Sequence, residues 1–149
     1  MSDCVSYSIF LFWQKWLLVV GIVIAVFGTL MALLSGTPLF DLFNQQIDPA
    51  FWGANAVGEN AKIFQQWIYG VWGATIAGWG IFVTFIARYP FREKERWASD
   101  CLIAGMSLWF VLDTSLSVYY QVYFNAAFNT ALLILALLPI FATRKHFAP

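Results

Sequence analysis

Charged residues are scarce in this chain. Eight lysines and arginines and eight aspartates and glutamates make up only 11% of its 149 residues, whereas soluble globular domains carry about 25%. Hydrophobic residues account for 61% of the chain and the mean hydropathy is +0.71. This composition excludes a soluble domain as the interpretation of the whole chain.

Histidine and cysteine are equally scarce, which argues against several kinds of site. The single histidine, His146, lies in a basic tail, so the chain can build neither a zinc site nor a bis-histidine haem site. Cys4 and Cys101 form no CxxC pair, and both fall on the side that we predict below to be cytoplasmic, where thiols stay reduced. We expect no cofactor and no metal.

Motifs of common enzyme classes and of nucleic-acid binding are also missing. The sequence offers no serine, histidine and acid in a shared location, no phosphate-binding glycine loop and no strongly basic face outside the apolar segments. An enzyme is therefore poorly supported, and no nucleic-acid partner is expected.

What the chain does contain is long apolar segments. A membrane-spanning helix needs about 20 predominantly apolar residues to cross a core of roughly 30 Å. Four segments reach or approach that length: Trp16–Ser35, Ile63–Ala87, Trp97–Tyr120 and Phe124–Ala142. They predict an all-α integral membrane four-helix bundle, up-down-up-down, as a single domain over residues 1–149.

The basic residues are sorted by side. With four spans, one side receives Lys15, Arg88, Arg92, Lys94, Arg96, Arg144 and Lys145, and the other receives Lys62 alone. The positive-inside rule therefore predicts a multi-pass protein of the cell (inner) membrane with both termini in the cytoplasm. The first apolar run is longer than a signal-peptide core, so we interpret it as a retained helix that begins near Trp13 and Trp16.

Small residues line one face of each of the first two spans. The first span carries Gly21, Ala25, Gly28 and Ala32, and the second carries two ridges, Gly70, Ala74, Gly78 and Gly73, Ala77, Gly80. Such faces let helix backbones approach closely in lipid. We favour packing within the bundle, with homo-oligomerisation as the alternative.

The loop of residues 36–62 carries turn and helix-start signals. Thr37-Pro38 and Asp48-Pro49 each combine an N-cap residue with a proline at the first helical position. They predict one or two short interfacial helices, which act as a belt in the headgroup region or as a cap over the bundle. In the next connection, Arg88–Arg96, Pro90 interrupts the helix and the charges favour a turn that binds lipid headgroups.

Asp113 is the residue that most needs an explanation, because it lies inside the third span. An acidic side chain at the centre of a membrane helix costs about 2.5–3.5 kcal/mol on insertion scales. It should therefore face the bundle interior and find hydrogen-bond partners, or be protonated. Ser117 and Tyr120 share its helical face through their spacing of four and seven residues.

Other polar and aromatic residues are predicted to gather near Asp113 in the outer half of the bundle. The candidate ligand-binding set is Asp113, Ser117, Tyr120, Asn125, Asn129, Gln65, Gln66, Trp67, Tyr69 and Trp109. The favoured interpretation is structural, with these side chains joining helices by hydrogen bonds. The alternatives are a lipid or small-molecule pocket and, last, proton or ion handling by Asp113.

The layout resembles that of DoxX-like families, which are small bacterial inner-membrane proteins of four helices. The likeness rests mainly on the stretch Phe64–Gly80, with Phe110–Ser115 and Tyr123–Asn129 behind it. None of these stretches carries a motif with an agreed catalytic role. The resemblance therefore implies a location and a fold and does not imply an activity.

We predict a non-enzymatic integral membrane protein, a small binding or accessory component or a subunit of a membrane complex. Its expected partners are membrane lipids and either further copies of itself or another membrane protein. The alternative is a protein that binds a lipid or small hydrophobic molecule at Asp113, with isomerase-like or hydratase-like chemistry conceivable because one carboxylate can act as a general acid or base.

Overall fold

The computed structural model describes residues 2–53, 55 and 57–147, with side chains from residue 7 onward. Its five α-helices are α1 (Ser2–Leu34), α2 (Asp41–Trp52), α3 (Glu59–Arg88), α4 (Arg96–Tyr119) and α5 (Tyr123–Thr143). Short 3-10 helices cover Pro38–Phe40 and Arg144–His146. No strand occurs in the described ranges.

Four of these helices, α1, α3, α4 and α5, are long and apolar enough to cross a membrane. The prediction of an all-α chain with four long apolar helices is confirmed. Large apolar side chains point outward along them, for example Phe82 at 69% and Leu108 at 63% exposure. An apolar outer surface of this extent suits lipid rather than water.

Two boundaries in the first half of the chain differ from the prediction. Helix α1 begins at Ser2 and not near Trp13 and Trp16, so it extends well beyond the apolar run. Pro49 lies inside α2 and does not start a helix, since α2 begins at Asp41. The physical reason is that Asp48 does not act as an N-cap: its carboxylate accepts a hydrogen bond from Gln65 instead.

Helices α1 and α3 pack in antiparallel contact through their small residues. Gly21 faces Thr84, while Gly28 faces Gly73 and Ala77. A Cβ added to Gly21 would lie 2.6 Å from the Thr84 Oγ1 atom, and one added to Gly28 would overlap the Ala77 backbone. Glycine is therefore required here because the two backbones touch.

The other long helices are joined by polar and aromatic contacts. The Trp16 indole on α1 donates to the Leu135 carbonyl of α5 at 3.0 Å, and α4 packs against α5 as an antiparallel hairpin. Helix α3 makes little contact with α4, although the rings of Trp79 and Trp109 lie 5.3 Å apart.

The buried apolar core lies toward one end of the helices, which we call the 89–95 end after the turn between α3 and α4. All four long helices contribute to it. Its members are Phe10, Leu17, Val83, Ala87, Phe91, Ala98, Leu102, Met106, Ala136, Ile140 and Phe147. The opposite end, which we call the α2 end, carries the polar groups described next.

Candidate functional site

Asp113 lies in a hydrogen-bonded network between α4 and α5. Its Oδ1 atom accepts from the side-chain amides of Asn125 and Asn129, each at 2.7 Å. The Ser117 hydroxyl lies 3.2 Å from the same oxygen and 2.8 Å from the Asp113 carbonyl. The carboxylate thus joins the two helices, as the structural interpretation of the sequence expects.

Helix periodicity explains why these four side chains meet. Asp113 and Ser117 are one turn apart on α4, and Asn125 and Asn129 are one turn apart on α5. The connection between the helices holds only three residues, so the two turns lie directly opposite each other. Asn129 is 2% exposed and Ser117 is 8% exposed.

The network also uses the remaining amide hydrogens. Asn125 donates to the Ser117 hydroxyl at 2.8 Å, and Asn129 approaches the Thr114 hydroxyl at 3.4 Å. Every hydrogen bond that the described residues make to the Asp113 carboxylate goes to Oδ1. This arrangement is suited to holding two helices together, and its donors are already committed.

A separate polar cavity of about 590 Å³ lies between α2 and the start of α3. It is lined by Ser35, Gly36, Asp41, Asn44, Gln45, Asp48, Pro49, Gly53, Asn55, Val57, Lys62, Gln65, Gln66 and Tyr69. None of these residues belongs to α4 or α5. We call this space the α2 cavity.

A short hydrogen-bonded chain crosses the wall of the α2 cavity. The Gln65 side-chain amide donates to the Asp48 carboxylate at 2.7 Å and to the Tyr69 hydroxyl at 3.2 Å. The Ser35 hydroxyl donates to the Gln66 carbonyl at 3.2 Å and ties the end of α1 to α3. Gln65 is thereby fixed by one contact from α2 and one from its own helix.

The α2 cavity carries two carboxylates and one ammonium group. Asp41 and Asp48 come from α2, and Lys62 comes from the first turn of α3. No ion pair links Lys62 to either carboxylate in the described residues. The Asn44 side-chain oxygen is buried and has no hydrogen-bond partner in that same part of the chain. With two carboxylates against one ammonium, the formal charge of the cavity lining is negative.

Helix α2 is held in place by aromatic contacts. The Phe43 ring lies 6.0 Å from Phe27 of α1 and 5.8 Å from Phe124 of α5. The Phe51 ring lies 5.9 Å from Tyr120 at the end of α4. Together with the Asp48–Gln65 bond, these contacts connect α2 to all four long helices or their ends.

The ten predicted site residues thus fall into three groups. Asp113, Ser117, Asn125 and Asn129 form the network between α4 and α5. Gln65, Gln66 and Tyr69 line the α2 cavity. The aromatic residues stand apart: Trp67 is 60% exposed beside Phe64, Trp109 pairs with Trp79, and Tyr120 pairs with Phe51.

The acidic residues of α2 were missing from the predicted set, although the sequence contains a signal for them. Asp41, Gln45 and Asp48 are spaced four and three residues apart, which places them on one face of a helix. The interpretation of Asp48-Pro49 as a helix start divided that face into two segments. A prediction of one continuous helix from Asp41 would have placed Asp41, Gln45 and Asp48 on the same face.

No family model, curated protein or solved structure matches this chain. The resemblance to DoxX-like families therefore stays a prediction. Any function has to be argued from the geometry of the chain itself.

Proposed function

We propose that this chain is a multi-pass integral membrane protein whose four long helices form an up-down-up-down bundle. The apolar outer surface of the helices and the antiparallel contacts of α1 with α3 and of α4 with α5 support this arrangement. We propose that the 89–95 end lies on the cytoplasmic side of the cell (inner) membrane, because that end carries seven of the eight basic residues.

In this orientation α2 lies on the outer side as a short interfacial helix. Its aromatic side chains contact α1 and α5, and its acidic residues face the start of α3. The α2 cavity then opens toward the outer aqueous phase or the headgroup region. A ligand would reach it without crossing the membrane.

The function that this geometry supports best is non-enzymatic binding of a small polar molecule that carries a cationic amine. The α2 cavity is the observation behind it: about 590 Å³ of space, two carboxylates against one ammonium, and an Asn44 oxygen without a partner among the described residues. A carboxylate without an ion-pair partner attracts an amine, and the amide side chains supply hydrogen bonds that orient it. A small binding or accessory component of a membrane complex fits this description.

A pocket centred on Asp113 is the weaker candidate. Oδ1 already accepts from the side-chain amides of Asn125 and Asn129, and the residues that line the α2 cavity do not include Asp113. The network between α4 and α5 is therefore assigned a structural role in this proposal.

Thermal unfolding of the purified protein in detergent tests the proposed binding. Ethanolamine and putrescine serve as probes, because each is a small molecule with a cationic amine, and choline is a comparison that carries the charge without an N–H donor. A ligand at 100 times its dissociation constant stabilises the folded state by about 2.7 kcal/mol. We expect at least one probe to raise the unfolding midpoint of the wild type and to lose that effect in the Asp48→Asn variant.

The matched control is Asp100→Asn, which removes an exposed carboxylate from the start of α4, at the 89–95 end and away from the α2 cavity. The control should respond to the amines as the wild type does. If no amine shifts the midpoint, or if the shift survives in an Asp41→Asn, Asp48→Asn double variant, the proposal is wrong.

A further inference from the structure

A second cleft lies at the 89–95 end, between α1 and the end of α3. Its volume is about 340 Å³, and it is lined by Leu11, Gln14, Lys15, Leu18, Arg88 and Arg92. We call it the basic cleft. Four of the six residues come from one face of α1, because positions 11, 14, 15 and 18 are spaced by three, one and three.

A buried hydrogen bond fixes the shape of the basic cleft. The Gln14 side-chain amide, 6% exposed, donates to the Ala87 carbonyl at 2.9 Å. That carbonyl lacks its usual helical partner, because the Phe91 amide donates to Ile86 instead. The Gln14 amide therefore satisfies the Ala87 carbonyl in place of a backbone N–H, and it holds α1 against the last turn of α3.

Among the described side chains, the three cations of the basic cleft have no acidic partner. Lys15, Arg88 and Arg92 are exposed, and none has a carboxylate within 4.0 Å among the side chains that the structure describes. The ion pair found there joins Arg96 to Asp100, outside the cleft. The guanidinium of Arg88 lies 5.7 Å from the centre of the Tyr89 ring, a contact that leaves its N–H edges free to donate.

Apolar walls accompany these charges. Leu11 and Leu18 are half-buried on either side of Lys15 along α1. Trp16, the residue after Lys15, has a side chain suited to the boundary between headgroups and acyl chains. The cleft thus combines a triply positive centre with two half-buried leucines.

We propose that the basic cleft binds the phosphate headgroup of an anionic phospholipid from the leaflet at the 89–95 end. The phosphate accepts hydrogen bonds from Arg88, Arg92 and Lys15, and the acyl chains lie along Leu11 and Leu18. Lysine and arginine pockets between membrane helices recognise anionic headgroups in this way. The inference rests on the proposed membrane insertion and is independent of the α2 cavity.

Native mass spectrometry of the purified full chain in detergent, titrated with dioleoyl phosphatidylglycerol, tests this site. The variant is Lys15→Gln with Arg88→Gln and Arg92→Gln. The matched control is Arg96→Gln with Arg144→Gln and Lys145→Gln, which removes three cations from the same end but outside the cleft. Circular dichroism verifies that both triple variants retain their helices.

Each basic residue near an anionic surface contributes about five-fold in affinity, so the loss of three predicts roughly 100-fold weaker binding of the tightest phosphatidylglycerol. The control should stay within about three-fold of the wild type. Dioleoyl phosphatidylcholine should bind wild type and cleft variant alike. Equal phosphatidylglycerol affinity for the cleft variant and the control would overturn the proposal.

Soluble glycerol 3-phosphate distinguishes the source of the phosphate. Because it lacks acyl chains, we expect it not to displace phosphatidylglycerol at concentrations 100 times higher. Displacement at equal concentration would show a site for a free phosphate ester, and the lipid assignment would then be wrong. The amine titrations of the α2 cavity are unaffected by either result, so the two proposals fail separately.

Discussion

The side-chain amide of Asn129 on α5 donates to the carboxylate of Asp113 on α4 at 2.7 Å, and Asn125 repeats this contact one turn away. Two interhelical bonds therefore meet on a single oxygen. Interhelical hydrogen bonds of membrane helices are worth about 0.6 kcal/mol on average and up to about 1.7. Their loss should be measurable.

We predict that Asp113→Ala lowers the free energy of unfolding by about 1–3 kcal/mol, because both asparagine amides lose their acceptor. Asp113→Asn retains one carbonyl oxygen and should lower it by less than about 1 kcal/mol. Equilibrium unfolding in mixed micelles measures both values.

Ser115→Ala is the control for this series, since Ser115 is exposed on the same helix and should change stability by less than about 0.5 kcal/mol. A stable Asp113→Ala variant would mean that the network does not hold the helices together. An Asp113→Asn variant as damaged as Asp113→Ala would mean that the negative charge itself is required.

Alanine substitutions at two nearby glycines of α3 should change the free energy of unfolding in opposite directions. A Cβ on Gly80 would overlap the Ala25 backbone, whereas one on Gly78 meets no atom within 4 Å. Gly80→Ala should therefore destabilise the protein by about 1–3 kcal/mol through overpacking. Gly78→Ala should stabilise it by about 0.5–1 kcal/mol, because alanine favours a helix.

The same unfolding assay measures both glycine variants, and size-exclusion chromatography with light scattering reports their oligomeric state. If Gly78→Ala instead destabilises the protein and dissociates an oligomer, the ridge of Gly70, Ala74 and Gly78 is an interface between copies. That result would favour the homo-oligomer alternative over the interpretation of packing within one chain.

Periodicity made the framework of the fold predictable. Apolar length located α3, α4 and α5 to within a few residues. Small-residue spacing indicated two ridges on α3, and the structure shows that the ridge of Gly73, Ala77 and Gly80 packs on α1. The meeting of Asp113 with Asn129 also followed from helix periodicity and a short connection. These features depend on local spacing, which a sequence displays directly.

Features that depend on side-chain partners were not predictable in the same way. Asp48-Pro49 has the composition of a helix start, yet Asp48 binds Gln65 and Pro49 lies within α2. Gln14 lies before the first predicted span and was not singled out, because its role depends on the Ala87 carbonyl, which lacks a backbone donor from Phe91. In both cases the deciding partner lies far away in the sequence.

The proposed orientation of the chain can be tested with single cysteines and a membrane-impermeant maleimide on intact cells. Cys4 and Cys101 are first replaced by serine. Gly58→Cys and Arg92→Cys are then compared, since both positions are exposed and lie at opposite ends of α3. Because seven of the eight basic residues lie at the 89–95 end, Gly58→Cys should react in intact cells and Arg92→Cys only after permeabilisation.

Lys145→Cys, at the same end as Arg92, serves as the internal control and should behave like Arg92→Cys. Labelling of Arg92→Cys in intact cells would reverse the orientation, and the α2 cavity would then face the cytoplasm.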